Sequence, residues 1–456
     1  LYVAYFASAE WNCFLSLGWD LPARIIDLYP EYRRMTNGAV GYTTRSGYGL
    51  LAAADAFGVT TMDTNHKTDM RELIMSGGPW SPEQQNDILK YCAHDVTITT
   101  KLFRQMWPKI ATDRLALTQA LLRGRYTVAV AKMEFAGTPI DTVLLTKLKS
   151  NWPELRLHLI KAVDQDYGVY EGSTFKQSKF EHWVSTQAIP WPRTDLNKLR
   201  LDEATFRQMS KSHTQVAALH ELRITLAQMR TLKLHVGTDG RNRTLLSPFA
   251  SKTGRNQPST TKFIFGNSAW LRSLIKPQKG FGLAYVDFSS QEIAIAAALS
   301  GDPKMWQAYN SGDPYMAFAI QAGLAPEGAT KSSHKAIRNR CKQIMLGVGY
   351  GMGAEALALA AGIHRVEANG LLNNHRMTYR IFWKWAEANQ MRALMGEPLV
   401  TPLGWKLQLR NDPDPNDRSL LNWPMQSTGA DIMRLAACML TEAGIEVCCP
   451  IHDAFL

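Results

Sequence analysis

Nowhere in the 456 residues does an apolar run approach the roughly 18 that a membrane-spanning helix needs. No secretory signal opens the chain either, so no membrane partner is expected. Cysteine is scarce: the six residues, at 13, 92, 341, 438, 448 and 449, make no Cys-x-x-Cys pair and no regular spacing. That argues against both a zinc site and a disulfide framework, and reads as the reduced thiols of an intracellular protein. Internal repeats and low-complexity tracts are missing, which excludes repeat architectures. Acidic residues are outnumbered, 40 Asp and Glu against 51 Lys and Arg, leaving a net charge of +11. Such a balance favours an anionic partner, with nucleic acid the first candidate. The first residue is Leu1, with no initiator methionine, and no polar tail comes after "PIHDAFL". The chain therefore reads as a fragment cut at both ends.

What is present is the composition of an ordinary globular protein, 45% hydrophobic and 20% charged, long enough for two to four domains. Residues 1 to about 110 hold short apolar segments and turn signals such as "TNGAVGY", as in an α/β domain, and "MWPKIATDR" (106–114) makes a junction. Helical patterning then runs to about residue 235. In "TQVAALHELRITLAQMRTLKL" (214–234) the apolar spacing leaves Arg223, Arg230 and Lys233 for solvent. The segment 233–255 carries Lys233, Arg241, Arg243, Lys252 and Arg255 against a single acid, Asp239. It reads as a strand-and-loop surface lying along phosphates. Residues 303–415 are again largely helical, and 423–443 is expected to be a helix with Pro424 in its first turn.

Three stretches carry chemistry. "LAYVDFSSQEIAIAAAL" (283–299) reads as a buried strand through Leu283, Tyr285 and Val286, then a turn, then an alanine-rich helix. Asp287 lies at the strand end, where it either caps the helix or holds a metal. A second aspartate, Asp453, ends another apolar run in "IEVCCPIHDAFL", so the two can meet only through tertiary structure. Between them, "HKAIRNRCKQIMLGVGYGMG" (334–353) repeats Arg338, Lys342, Leu346 and Tyr350 at every fourth position. Those four share one helix face. Two cations, an apolar side chain and an aromatic ring match a triphosphate, a sugar and a base in order.

"DFSSQEI", "RNRCKQIMLGVGYG" and "HDA" resemble motifs A, B and C of the family A DNA polymerases. "SKTGRNQPS" (251–259) is similar to the family's Thr-Gly-Arg segment, and "RSLLNWPMQSTGADIM" (418–433) to its Arg, Asn and Gln run at the primer terminus. "YCAHD" (91–95) resembles the Tyr-x-x-x-Asp motif of the proofreading exonuclease. Together, these motifs in family order carry far more weight than any one. The resemblance implies an α/β multi-domain fold: an RNase H-like 3′–5′ exonuclease domain joined to a right-hand polymerase with an antiparallel palm sheet and helical thumb and fingers. The expected segments are a partial exonuclease domain at 1–110, thumb and connecting helices at 111–240, palm at 241–302, fingers at 303–415 and palm again at 416–456.

The resemblance also implies roles. Asp287, Asp453 and the backbone carbonyl of Phe288 would hold two Mg²⁺ ions, with Lys342 protonating the pyrophosphate. Gln291, Glu292, Arg338, Lys342, Leu346 and Tyr350 would bind the dNTP, with Glu292 excluding a ribose 2′-OH. Arg255, Asn422 and Gln426 would read the minor groove, and Arg418 and His452 would steady template or primer. Leu346 replaces the usual Phe or Tyr, Ala454 a frequent Glu, and Tyr315 an expected His. In the exonuclease half, Glu10, Tyr91 and Asp95 match two motifs, while the opening Asp-x-Glu is not in the sequence. An exonuclease-like fold with incomplete chemistry and negligible degradation is the expectation. The implied partners are primer-template DNA and dNTPs, bound by a monomer with replisome contacts. The implied location is the cytoplasm of a bacterium or phage-infected cell. A single-subunit phage RNA polymerase fits Glu292 and the N-terminal motifs poorly. A non-catalytic DNA-binding relative would not need Asp287, Asp453, Arg338 and Lys342, and a stand-alone nuclease would need the opening motif.

Overall fold

Two short parallel strands, Tyr2–Ala4 and Ile25–Asp27, open the chain. Asp27, 2% exposed, ties them to the next helix. Its carboxylate accepts from Tyr29 N, capping the helix Leu28–Thr36, and also from Phe6 N and Ala7 N. The computed structural model that shows this describes residues 1–39, 45–60, 64–231, 234–266, 269–349, 351–409 and 416–456. A reciprocal Ser81–Gln84 capping box, with Pro82 in the first turn, starts the long helix Pro82–Ile110. Asp113 caps the next helix, Arg114–Ala136, so the break falls within 111–113.

The helix Arg114–Ala136 is the spine between the two halves. Its Tyr126, Ala129, Val130 and Met133 pack with Phe249, Trp405, Trp423 and Val447 in one core. On its other side Gly124 meets the first sheet, where a Cβ would lie 2.1 Å from Ile25 O. Only glycine permits that approach. Helices between 142 and 231 enclose a separate small core of Val169, Phe180, Trp191, Phe206 and Leu219. Arg223 is not on a solvated face as its spacing suggested. Its guanidinium lies 4.5 Å from the Phe175 ring and 4.4 Å from Phe206, and donates to Leu201 O. The side chain of Arg230 and the whole of Lys233 lie outside the described residues.

A three-stranded antiparallel sheet, in the order Pro450–Ile451, Ala454–Phe455, Val286–Asp287, holds the carboxylates. The strand ending at Asp287 was expected to be buried, yet Tyr285 is 55% and Val286 64% exposed. It is the edge strand of its sheet, so one side has no neighbour among the described residues. Beyond it, helices from Gln291 to Leu394 build the largest core, around Phe318, Ile344, Tyr379 and Phe382. The last helix starts earlier than its apolar pattern suggested. It runs Asp417–Glu442 from an Asn416 cap, with Pro424 inside it rather than in its first turn. Pro424 has no N–H for the Leu420 carbonyl four residues back, a loss that packing of this helix offsets. No helix among the described residues is long and apolar enough to cross a membrane.

Candidate active site

Sheet register creates the site. Asp287 pairs directly with Ala454, and Phe288 N donates to Asp453 O at 3.1 Å. Two aspartates 166 residues apart in sequence are thus brought side by side, Asp287 ending its strand and Asp453 in the turn that leads into the neighbouring strand Ala454–Phe455. The backbone bends sharply beside both: Ser290 has φ 49° and His452 φ 53°. Left-handed residues with a Cβ cost about 1–3 kcal/mol and concentrate where geometry serves chemistry. Asp287 is not a helix cap. The helix Gln291–Ser300 is preceded by Ser290, with no side-chain cap bond. Burial, then the charge of Asp453, holds the Asp287 carboxyl above its ordinary range. A divalent cation would relieve that repulsion, and an all-oxygen donor set suits Mg²⁺. No cluster of three His, Cys, Asp or Glu suited to a metal occurs among the described residues.

Glu292, in the first turn of the helix Gln291–Ser300, lies 3.8 Å from Arg255. Burial raises its carboxyl, Arg255 lowers it, and Asp453 raises it further. A Cβ on Gly349 would sit 3.4 Å from Glu292 Oε2, so the end of the helix Lys335–Gly349 comes close to this carboxylate. Gln291 Nε2, on the residue before it, is buried with no hydrogen-bond partner among the described residues, as are Asn422 Oδ1, Ser427 Oγ and Thr428 Oγ1 on the helix Asp417–Glu442. Each such group costs about 1–3 kcal/mol until something bonds it. Gln426 on the same helix is half-buried, and Gly429 fits because a Cβ would come 3.0 Å from Gln291 Oε1.

The helix Lys335–Gly349 buries Cys341, Ile344, Met345 and Val348 and leaves Lys342 and Leu346 exposed, with Arg338 half-exposed. Three of the four periodic residues therefore share its open face. The fourth, Tyr350, lies outside the described residues. Asp313 was missed by sequence reasoning. Its carboxylate caps the helix Pro314–Gln321 through Met316 N and binds Arg338 Nε at 2.5 Å. The Asp-Pro pair signalled the cap but not the ion pair. Tyr315 lies 5.3 Å from Arg338 and 5.8 Å from Lys342. Arg418 and His452 are exposed, and Arg418 packs beside Gly351, where a Cβ would come 2.8 Å from its own.

Two of the expected phosphate-facing cations are committed elsewhere. Arg241 binds Glu446 and the Ala136 and Gly137 carbonyls, while Arg243 binds Asp239 and Phe135 O. Local composition could not separate these internal ties from a solvent-facing row. Of the segment, Lys252 is exposed and Arg255 reaches the site.

Glu10, Tyr91 and Asp95 do come together, around a cavity of about 1090 Å³. Rings of Tyr5, Phe6, Tyr29, Tyr48 and Phe103 line it, and no Lys or Arg among the described residues does. Burial, then a hydrogen bond to Asp95, pushes the Tyr91 phenol up to about 12.

Residues 192–455, more than half of the chain, match the model of DNA polymerase family A. DNA polymerase I of Aquifex aeolicus (strain VF5) is 25% identical over 392 residues, which are 78% of this chain and 65% of that protein. The DNA polymerase of Mycobacterium phage L5 is 26% identical over 412 residues, 85% of this chain and 63% of that one. The chain thus spans just under two thirds of these relatives' length. Among solved structures, the POL domain of Pol1 from M. smegmatis, in complex with DNA primer-template and dNTP, superposes with a TM-score of 0.71. That match is at 19% identity and covers 99% of this chain and 78% of the other, a likeness of fold.

Proposed function

The chain belongs to DNA polymerase family A, and from that premise we propose that it is a template-directed DNA polymerase extending a primer 3′-OH with dNTPs. One observation carries the proposal: the register that sets Asp287 beside Asp453. Two Mg²⁺ ions, held by these carboxylates and the Phe288 carbonyl, would supply the charge neutralisation that phosphoryl transfer needs. The protein's own groups do the rest. Arg338 and Lys342 hold the triphosphate, and Lys342 keeps a proton for the departing pyrophosphate. Gln291 and Leu346 line the sugar pocket, Tyr350 stacks at the new pair, and Glu292 rejects a 2′-OH by its bulk. Arg255, Asn422 and Gln426 reach the minor groove, where acceptors are similarly placed for every correct pair. Arg418 and His452 hold the strands.

In this reading residues 1–110 are a partial 3′–5′ exonuclease-like domain of RNase H type, with negligible degradation by the chain of 456 residues. Residues 111–240 form the thumb and its connections, 241–302 and 416–456 the palm, and 303–415 the fingers. The protein works as a monomer on primer-template DNA, with replisome contacts, in the cytoplasm of a bacterium or phage-infected cell. Primer extension by the purified protein tests the reading. Incorporation of dNTPs with Mg²⁺, lost in Asp287→Asn while DNA binding persists, is the expected result. No incorporation by the parent protein, or equal use of rNTPs, refutes it.

A further inference from the structure

The loop that delivers Arg255 is bent in a way its own sequence does not favour. Ser247 has φ 49° and Phe249 φ 58°, both left-handed conformations in residues carrying a Cβ. Such geometry persists only where the surroundings over-determine it. Here the surroundings come largely from the far end of the chain. Arg33, 5% exposed on the helix Leu28–Thr36, donates through Nε to Phe249 O at 3.0 Å. Its Nη2 donates to Ala250 O at 2.7 Å and Ser251 O at 3.3 Å. The guanidinium is itself fixed, 3.7 Å over the Tyr48 ring. Asn37, 1% exposed, gives its amide to Lys252 O at 2.7 Å and to Lys406 O at 2.6 Å. Four consecutive carbonyls, 249 to 252, are therefore held by two side chains of the N-terminal region.

The C-terminal half supplies the opposing grip. Trp405 Nε1 and Trp423 Nε1 also donate to Lys252 O, and Arg434 donates to Gly254 O at 2.8 Å. Gly254, at φ 76°, lies against Trp405, where a Cβ would come 3.0 Å from the indole ring. The next residue is Arg255, which ends 3.8 Å from Glu292. A loop clamped on both sides has one position to offer its last side chain.

We infer that Arg33 and Asn37 are positioning residues for Arg255, so that the exonuclease-like region sets the arm which meets Glu292 and the primer end. The inference rests on the polymerase reading for what Arg255 does, and on geometry alone for what holds it. It makes the N-terminal region a working part of the polymerase site whether or not its own cavity cleaves DNA.

The test uses the full-length protein with Arg33→Met, Arg33→Lys, Asn37→Ala, Arg255→Ala and the Arg33→Met/Arg255→Ala pair. Amide hydrogen exchange reads the clamp directly. In Arg33→Met, exchange at 247–256 should accelerate about tenfold or more, with the centre of the helix Asp417–Glu442 unchanged. Asn37→Ala, which loses two bonds, should do the same to a lesser degree and covers the event that Arg33→Met does not fold. Extension reads the consequence. Arg33→Met should lower kcat/KM for primed template about tenfold, Arg33→Lys should recover part of it, and the double variant should match Arg255→Ala within about twofold. Unchanged exchange in both clamp variants, or losses that multiply in the double variant, would overturn the inference alone. Arg255→Ala extending at the parent's rate would overturn the role proposed for Arg255 and the inference with it.

Discussion

The chain has two places where acidic side chains gather, and they are built on opposite principles. In the C-terminal site, Asp287 ends one strand and Asp453 lies in the turn before its neighbour, with Glu292 linking them to the end of the helix that bears Arg338 and Lys342. In the N-terminal cavity, Glu10 and Asp95 sit among aromatic rings, with no cation among the described residues of the lining. A phosphate approaching the first meets Arg255 together with the carboxylates, and one approaching the cavity meets carboxylates alone among the described residues. Nucleotide chemistry needs both signs: acids to hold metal, cations to hold the anion that reacts. Grouped carboxylates are therefore a weak sign of catalysis, and grouped carboxylates within reach of organised cations a much stronger one.

The largest expected effect breaks the C-terminal side of this comparison. Asp287→Asn or Asp453→Asn should lower the rate of extension by at least about 10³, roughly 4 kcal/mol of lost transition-state stabilisation. Filter binding should meanwhile find primer-template affinity nearly intact. Rates within tenfold of the parent in either variant would mean that the pair does not hold the metals. Next comes sugar choice. Glu292→Ala opens space beside the dNTP, frees Arg255, and should shift discrimination against ribonucleotides by about tenfold or more, ~1.4 kcal/mol. Competition between dCTP and CTP measures it, and an unchanged ratio would reduce Glu292 to a partner of Arg255.

Asp313 sharpens the contrast on its cationic side. Asp313→Asn keeps a cap for the helix Pro314–Gln321 but removes the charge that pairs with Arg338. KM for dNTP should change severalfold in that variant and rise about tenfold in Arg338→Ala. If Asp313→Asn left KM untouched, the ion pair would be architecture only. The smallest effect lies between the two halves, at Glu134. It is 7% exposed, accepts from Leu246 N and Asn12, and burial pushes its carboxyl up to about 7 from the ordinary 4.5. The folded state then keeps a proton that the unfolded chain has released. Its stabilisation is whole below pH 4.5 and is lost as pH rises through about 7. Urea midpoints should fall between pH 5 and pH 8 in the parent, and Glu134→Gln should flatten that slope. An identical slope in both would place the pH dependence elsewhere.

What could be read in advance was whatever depends on local period or fixed spacing. Arg338, Lys342 and Leu346 share a helix face because a spacing of four residues overshoots a full turn by only about 40°. Asp287 and Asp453 each end an apolar run, and the family motifs tied them together before the sheet did. What failed was anything decided by a distant partner. Tyr285 and Val286 have strand composition, but their sequence does not say that the strand is at the edge. Arg223 has the spacing of a solvated residue and is held between two rings. Arg241 and Arg243 looked like a phosphate row and are tied to carbonyls and acids of their own chain. Arg33 and Asn37 carried no signal, because the carbonyls they hold lie more than 200 residues away.

The comparison of the two acidic centres comes down to where a divalent metal goes. Mn²⁺ binding, monitored by electron paramagnetic resonance with primed template and a non-hydrolysable dNTP analogue, reads that destination in the parent, Asp287→Asn and Glu10→Gln/Asp95→Asn. The account predicts that Asp287→Asn removes the bound signal and that the N-terminal double variant leaves it unchanged. Loss of the signal in the double variant with retention in Asp287→Asn would contradict it.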